Sequence, residues 1–244
     1  MVLRFIARGL KAKYKHEKQE IKALVEGLQT DDIAIDVGAN KGGYLWSLSR
    51  AVPQGRVFAF EPQPIFHTYL KKVCAQAFLR NVQVEPLGLS DRAGVFTLAI
   101  PGSDPTSPAA SFEEAVKSRE PHQSYEVQVT TLDRYFENIA GHVGAIKIDV
   151  EGHELAVLKG GLNLLKKHKP VIVCESENRH ITHGSVSDVL KFITDLGYEG
   201  WVIQQERLLP LALFDPLIHQ SQVGDQYWES PAYCNNFIFK PLPA

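Results

Sequence analysis

Short runs of β-branched and apolar residues alternate with helical periods along most of this 244-residue chain. Such alternation predicts an α/β fold, in which helices cover both faces of a mostly parallel sheet. A glycine-rich turn follows the first apolar run, and ligands bind such sheets beyond the carboxyl ends of the strands. The predicted strands are Ile33 to Val37, Arg56 to Phe60, Val82 to Leu89, Ala145 to Val150, Val171 to Glu175, Tyr198 to Ile203 and Asn236 to Phe239.

The first of these runs is apolar at nearly every position, as expected of a parallel strand that is buried on both faces. Helical spacing separates the runs, most clearly where leucines recur at positions 155, 158, 162 and 165. Further helices are predicted up to about residue 52 and over residues 65–77 and 186–196. Each strand therefore feeds a helix, which is the pattern of βαβ units.

The composition is that of an ordinary globular protein. Apolar residues make up 44% and charged residues 22%, which excludes disorder of the whole chain. Lys and Arg number 26 against 28 Asp and Glu, and this balance argues against a general nucleic-acid binder. Three widely spaced cysteines cannot make a disulfide framework, so we expect a reducing, cytoplasmic location. No apolar stretch reaches the roughly 20 residues that span a bilayer.

The chain is expected to comprise an N-terminal helical extension, 1–30, and a main domain, 31–244, with an insertion at about 94–131. The extension carries five Lys or Arg residues before its first acid, Glu17. It could rest on an anionic membrane, recognise an acidic partner, or simply pack on the domain. Within the insertion, Val95 to Ile100 and Tyr125 to Thr131 are expected to pair as a hairpin around a long loop, Pro101 to Ser124. That loop covers the substrate or is a surface excursion.

The strongest local motif is Asp36-Val-Gly38-Ala39-Asn40-Lys-Gly42-Gly43, where the first strand meets its helix. Gly38 allows a tight turn, and Gly42 lets a ligand approach the start of the helix. Asp36 ends the strand and is expected to accept hydrogen bonds from a cationic amine. The motif is neither G-x-G-x-x-G nor a P-loop, so a bound pyrophosphate is disfavoured.

Acids also follow the next two strands. Glu61 is placed to accept hydrogen bonds from both hydroxyls of a ribose, and the Ser90-Asp91 pair could meet an adenine amino group. An amine, a ribose and an adenine together describe S-adenosylmethionine. Gly38, Ala39, Asn40 and Gly42 complete the expected cofactor site.

The fourth strand breaks the apolar rule. Strand alternation places Lys147, Asp149 and Glu151 on one face, where charge is costly to bury unless its members pair. Such exceptions tend to mark function, although a purely architectural Lys147–Asp149 ion pair is the alternative.

These segments, in this order, resemble the FkbM family of methyltransferases. The resemblance covers about residues 31–177 and rests on Ile35 to Asn40, Phe60 to Pro62, Leu89 to Asp91, Thr131 to Asp133 and the specific string Ile146-Lys-Ile-Asp-Val-Glu-Gly152. It implies a Rossmann-like class I methyltransferase sheet with an antiparallel C-terminal strand. It also implies an S-adenosylmethionine-dependent O-methyltransferase that acts on hydroxyls of sugars, glycolipids or polyketides.

For this chemistry we expect Asp149 to align the acceptor hydroxyl or to receive its proton, and also to contact the cofactor. Lys147 would keep Asp149 ionised, and Glu151, His153 and Glu175 would shape the acceptor site. The same acids could hold a divalent cation such as Mg²⁺, but their spacing is not diagnostic.

Two other classes remain open from the sequence. An NAD-dependent oxidoreductase could use a related sheet, but the first turn lacks G-x-G. A non-catalytic binding module could keep the fold as a scaffold for a partner. The retained acids Asp36, Glu61 and Asp149 argue against that module.

Overall fold

A computed structural model describes residues 1–118 and 122–243. It contains an eight-stranded sheet and a separate three-stranded sheet. In chain order the strands are β1 (Ile33–Val37), β2 (Arg56–Phe60), β3 (Val82–Glu85), β4 (Gly88–Leu89), β5 (Gly94–Pro101), β6 (His122–Thr130), β7 (Val143–Ile148), β8 (Val171–Glu175), β9 (Tyr198–Gln204), β10 (Arg207–Pro210) and β11 (Asn236–Pro241). The large sheet has the order β10-β9-β11-β8-β7-β1-β2-β3.

Most helices lie on the two faces of the large sheet, as the alternation predicted, and one short helix contacts β5 of the small sheet. The helices are α1 (Val2–Lys11), α2 (Lys18–Glu26), α3 (Leu45–Ala51), α4 (Pro64–Gln76), α5 (Glu114–Lys117), α6 (Leu132–Phe136), α7 (Glu154–Lys159), α8 (Leu162–His168), α9 (Val186–Asp195) and α10 (Pro216–His219). One apolar core contains Ile33 and Ile35 of β1 together with residues of α6 to α9. The other contains Ala34 with residues of α1 to α4. Alternate residues of β1 therefore face opposite cores.

The parallel part of the sheet confirms the predicted βαβ units. Strands β3, β2, β1, β7 and β8 pair in parallel, whereas β11 runs antiparallel to both β8 and β9. Residue Asp36 is in register with Lys147 across the β1–β7 pair. Because side chains in register point to the same face, this pairing brings the two charges together at the carboxyl edge.

The predicted strand Val82 to Leu89 is wrong as a single element. It divides into β3 of the large sheet and β4, which pairs with β6 in the small sheet. Pro86 lies between them and has no N–H to donate to a ladder, so the pairing ends there. The predicted hairpin of the insertion is confirmed, because β5 and β6 pair antiparallel over eight residues.

The N-terminal extension is helical, as expected, but it is not one continuous helix. A π-helical turn, Ala12–His16, separates α1 from α2, and Glu17 has a non-helical conformation. A straight helix would place Phe5 and Ile21 about 160° apart around its axis, yet both are buried. The break lets both halves face the protein. Within the described residues no helix is long and apolar enough to cross a membrane.

Candidate functional site

Two cavities meet at the carboxyl edge of β1 and β7. The larger cavity, of about 640 Å³, extends from Gly38 and Asp149 toward α1. The smaller one, of about 50 Å³, lies between Glu61 and Glu151 and is covered by the segment 108–112 of the insertion. Gly38, Asn40 and Asp149 line both cavities. The edge where binding was expected is therefore a cleft with two compartments.

Lys147 is the centre of the charge arrangement at this edge. Its Nζ lies 3.4 Å from Asp36 Oδ1 and 3.3 Å from Asp149 Oδ2, and it donates a 2.9 Å hydrogen bond to the Gly38 carbonyl. Burial acts to lower the pKa of Lys147, but the carboxylates of Asp149, Asp36 and Glu175 outweigh it and raise that pKa. The ammonium group therefore stays charged and holds the ends of β1 and β7 together.

The expectation that Asp36 faces the ligand is wrong. Its side chain is fully buried, and it lines neither cavity. Its two oxygens have no hydrogen-bond partner, and the 3.4 Å contact with Lys147 is an ion pair of longer range. Burial raises the pKa of Asp36, although Lys147 opposes this. Asp36 thus acts on the cleft through Lys147.

Asp149 lies just beyond the end of β7, where its backbone N–H donates to the carbonyl of Val37. About 29% of its side chain is exposed, so it is the acid of this group that a ligand can reach. The row of three charges on one strand face is only partly formed, because β7 ends at Ile148 and Glu151 has a left-handed φ of 54°. Glu151 instead pairs with the ring of His180.

Glu61 closes the other side of the small cavity. Its carboxylate accepts 2.6 Å and 2.8 Å hydrogen bonds from the backbone N–H groups of Asn40 and Gln63. Asn40 adopts a left-handed φ of 46°, which turns its N–H toward Glu61. Burial raises the pKa of Glu61 to about 7, against the effect of these two donors. A carboxylate offers about four lone-pair positions, so two remain for a ligand.

His153 and Ser90 lie beside the cleft rather than in it. His153 Nε2 forms a 2.9 Å hydrogen bond with the Ser90 hydroxyl, and His153 Nδ1 lies 2.7 Å from Glu113 Oε1. Glu113 also accepts a hydrogen bond from the backbone of Thr182. Burial opposes ionisation of Glu113, but these donors outweigh it and lower the pKa of that carboxyl. The contact ties the insertion to the main domain.

The structure therefore brings together only part of the sequence-predicted set. Gly38, Ala39, Asn40, Glu61, Lys147, Asp149 and Glu151 line the two cavities. Gly42 packs against α1 and α4 side chains, and Asp91 is half-exposed beside Arg92. Neither Ser90 nor Asp91 lines either cavity. Glu175 lies in a small pocket behind Asp149, where it accepts a 2.8 Å hydrogen bond from Asn235.

Sequence reasoning missed several contributors. Glu113 comes from a loop of the insertion, and its partner His153 is 40 residues away in the chain. Arg4, Arg8 and Lys11 of α1 line the large cavity, whereas the sequence analysis treated them only as a basic surface. Within residues 1–118 and 122–243 no group of three or more His, Cys, Asp or Glu side chains could hold a metal ion.

Glu154 gives the site a testable pH dependence. It is buried and accepts hydrogen bonds of 2.9 Å from the Gly152 N–H and 3.0 Å from the Ser176 hydroxyl. Burial raises its pKa from 4.5 to about 8, so the folded state holds this proton more tightly than the unfolded state. The protonated carboxyl therefore contributes to the free energy of unfolding. This contribution is fully present below pH 4.5 and is lost as the pH rises through 8, by at most about 1.4 kcal/mol per pH unit.

Glu154→Gln should therefore flatten the fall of stability with rising pH, because a glutamine can accept from the Gly152 N–H and donate to the Ser176 hydroxyl, as the protonated acid does, and cannot ionise. We expect urea unfolding to give similar free energies for the variant and the parent at acidic pH, and a more stable variant at alkaline pH. Glu199→Gln, an exposed site, is the matched control and should leave the slope unchanged. Parallel pH profiles for the parent and Glu154→Gln would contradict the assignment.

The strand order, with β11 antiparallel, and the cleft at the end of β1 define a Rossmann-like methyltransferase fold. A family model described as the Methyltransferase FkbM domain matches residues 36–199, about two thirds of the chain. The chain therefore belongs to the FkbM methyltransferase family. The match does not support the NAD-dependent oxidoreductase or the non-catalytic module.

Curated relatives agree with this class. The chain is 33% identical over 162 residues to the hexuronic acid methyltransferase AglP of Haloferax volcanii, a match that covers 64% of this chain and 61% of the relative. It is 30% identical over 162 residues to the methyltransferase sdnD of Sordaria araneosa, covering 56% and 62%. The chain thus spans about three fifths of the length of these relatives.

Solved structures share the fold. A methyltransferase FkbM from Methylobacillus flagellatus KT superposes with a TM-score of 0.55 at 17% identity, covering 94% of this chain and 47% of that one. A Streptococcus mutans chain solved in complex with SAH gives a TM-score of 0.51 at 11% identity, covering 93% and 97%. At these identities the likeness concerns the fold alone.

Proposed function

We propose that this chain is an S-adenosylmethionine-dependent O-methyltransferase that methylates a hydroxyl group of a sugar, glycolipid or polyketide-type small molecule. The observation that carries this proposal is that Gly38, Asn40 and Asp149 line both compartments of the cleft. A methyl group that leaves a donor in one compartment could meet an acceptor in the other beside Asp149. A single-compartment site would need both molecules to enter the same space.

The polar groups at this edge suit S-adenosylmethionine, of which the small cavity of about 50 Å³ can take only a part. Glu61 retains acceptor positions that suit ribose hydroxyls, and Asp149 offers a carboxylate to a cationic amino acid moiety. Gly38 and Asn40 would supply backbone near that moiety. The cofactor would supply a methyl electrophile and a good leaving group. The SAH bound by the Streptococcus mutans structure supports the choice of cofactor.

The chain must then align the acceptor hydroxyl and handle its proton. Alignment of two reactants can contribute up to about 7–11 kcal/mol, whereas a general base typically contributes about 10²–10⁴-fold. We assign both tasks to the surroundings of Asp149, whose carboxylate Lys147 holds in place at 3.3 Å. Lys147 is a positioning residue in this scheme. Glu151 lines the small cavity, so in this scheme it would border the donor rather than the acceptor.

The acceptor class rests on the relatives and on the cavity. The Haloferax volcanii relative is named for a hexuronic acid, which supports a sugar as acceptor. A cavity of about 640 Å³ has the volume usual for small-molecule sites. Both points favour a small molecule over a macromolecule.

Calorimetry and mass spectrometry test the proposal together. S-adenosylhomocysteine should bind the full chain with measurable heat, whereas NAD should give none. A hydroxylated-metabolite extract incubated with methyl-labelled S-adenosylmethionine should yield a labelled O-methyl product. Absence of S-adenosylhomocysteine binding at millimolar ligand would remove the proposed cofactor, and a label found only on nitrogen or carbon would remove the O-methyl assignment.

Asp149→Asn separates catalysis from cofactor binding. The isosteric amide keeps the shape of the site but cannot receive a proton, so we expect turnover of the labelled product to fall at least ~100-fold. Affinity for S-adenosylhomocysteine should change by less than ~10-fold, because other groups also hold the cofactor. Asp195→Asn, which alters a surface ion pair of α9, is the matched control and should leave both unchanged. Equal loss of turnover and affinity would defeat this role.

A further inference from the structure

The outer wall of the large cavity is basic. Arg4, Arg8 and Lys11 of α1 and Lys41 after β1 line it, whereas the inner end holds Asp149 beside Lys147. This concentration is local, because the whole chain carries a formal net charge of -2. A cleft lined by one sign of charge attracts the opposite charge more strongly than a flat surface does.

The helix that carries these cations is held firmly against the domain. Phe5 is fully buried and lies against Gly42, and Gly9 is buried against the side chain of Trp46. Arg4, Arg8 and Lys11 follow the i, i+4, i+7 spacing of one helix face. Packing of the neighbouring face therefore fixes the direction in which the cations extend.

The guanidinium group of Arg8 is also held in place by hydrogen bonds. Its Nη1 donates to the Lys41 carbonyl at 3.0 Å and to the Tyr69 hydroxyl at 3.2 Å. Both partners are neutral, and the guanidinium has five N–H donors in all, so donors remain for an anion. Arginine in such a fixed position is well suited to carboxylate or phosphate oxygens.

No short ion pair neutralises the charges of this wall. Among the residues that the structure describes, Arg4, Arg8, Lys11 and Lys41 take part in no ion pair within 4.0 Å. Of the acids that line the cavity, Glu17 accepts a hydrogen bond from Tyr44, and Asp149 pairs with Lys147. These four cations therefore have no carboxylate within ion-pair distance, although Glu17 lines the same cavity and Lys41 Nζ lies 5.1 Å from the centre of the Phe66 ring.

We propose that the methyl acceptor is an anion, whose carboxylate or phosphate group is bound by Arg4, Arg8, Lys11 and Lys41 while its hydroxyl lies beside Asp149. This inference rests on the proposed methyl transfer, and it adds the charge of the acceptor and the residues that select it. The cations are specificity-determining residues at the opposite end of the cavity from Asp149. A neutral sugar would leave them without a partner, so the site discriminates against it.

A membrane surface is the other anion that α1 could meet. The exposed apolar residues Leu3 and Leu10 would have to enter that surface together with the cations. At 100° per residue, Leu3 and Leu10 lie roughly 100–160° around the helix from Arg4 and Arg8. The cations line a cavity that reaches the proposed acceptor position, and this favours a small anion over a lipid surface.

Two double variants with the same change of net charge test the proposal. Arg4→Gln/Lys11→Gln removes two cations of the cavity wall, and Lys13→Gln/Lys15→Gln removes two exposed lysines of the next turn that do not line it. Glucuronate, glucose 6-phosphate and glucose are titrated into each full-length protein by calorimetry, with and without S-adenosylhomocysteine. Sedimentation with phosphatidylglycerol vesicles is measured on the same samples.

We expect the charged sugars to bind the parent at least about tenfold more tightly than glucose does. The Arg4→Gln/Lys11→Gln variant should lose at least about tenfold of that affinity, and the Lys13→Gln/Lys15→Gln variant less than about twofold. Preference for glucuronate over glucose 6-phosphate, or the reverse, identifies which anion the wall selects.

Three results overturn the proposal: equal affinity for glucose, no binding of either anionic sugar, or equal losses in the two double variants. Vesicle binding that both double variants weaken equally, without discrimination among the sugars, would assign the charges to a membrane. These outcomes are independent of the proposed function, because S-adenosylhomocysteine binding is read separately in the same titrations. Loss of cofactor binding with retained anion binding would remove the methyltransferase assignment of the cleft alone.

Discussion

Replacing Lys147 by methionine should destabilise the protein by about 3–5 kcal/mol, the usual effect of removing one partner of a buried ion pair. Methionine fills a similar volume but leaves the Asp36 carboxylate buried, with no hydrogen-bond donor and no cation. It also removes the 2.9 Å hydrogen bond to the Gly38 carbonyl. Urea unfolding at neutral pH measures the loss.

A second variant separates the charge effect from the packing effect. Asp36→Asn/Lys147→Met removes both charges, and it should recover a large part of the stability that Lys147→Met loses. Lys191→Met, in a surface pair with Asp195, is the control and should change stability by less than about 1 kcal/mol. If the double variant is no more stable than Lys147→Met, the buried charge of Asp36 is not the cause.

The sign of the pH dependence provides an independent check. Burial already raises the pKa of Asp36, and loss of Lys147 should raise it further. The folded variant then binds the Asp36 proton more tightly than the unfolded chain does, so its stability falls as the pH rises above 3.8. The deficit of Lys147→Met should therefore shrink in acid, whereas the deficit of a pure packing defect should not.

The parallel sheet could be predicted because its signals are local. Each of β1, β2, β7 and β8 is a short apolar run followed by a helical period, and each element contains the sequence that forms it. β10 was missed because it is a four-residue edge strand that ends at Pro210. The break in the N-terminal helix depends on how two helical segments pack, and sequence periodicity within either segment does not report that.

The candidate site could be predicted only where its residues follow strands. Glu61 and Asp149 lie at strand ends, so their position at the edge follows from topology. The roles of Asp36 and Glu151 could not be predicted in the same way. Each depends on a partner residue that is distant in the sequence and is brought close only by the fold. Lys147 reaches Asp36 across the β1–β7 pair, and His180 approaches Glu151 from a loop. The basic wall could not be predicted from the sequence either, because it depends on how α1 packs against the domain.

Gly38→Ala should have the other large effect, because the backbone of the site leaves no room at this position. A Cβ on Gly38 would lie 1.9 Å from the carbonyl oxygen of Asp149, and its φ of +75° is strained for any residue with a side chain. The obstacle is backbone, so no side chain can move aside. We expect a loss of at least about 3 kcal/mol, from strain of about 1–3 kcal/mol plus the displacement of β1 from β7.

Gly43→Ala is the matched control, because it makes the same change five residues away at an ordinary φ. A Cβ there would meet only Ala12, at 4.0 Å, so the change should alter stability by less than about 1 kcal/mol. Thermal unfolding of both variants gives the difference. If Gly38→Ala folds but fails to bind S-adenosylhomocysteine while Gly43→Ala binds it, the β1–β7 junction shapes the cofactor compartment. Equal stability of the two variants would show that the Asp149 backbone can move away from Gly38. The inference that this contact leaves no room for a side chain at position 38 would then be wrong.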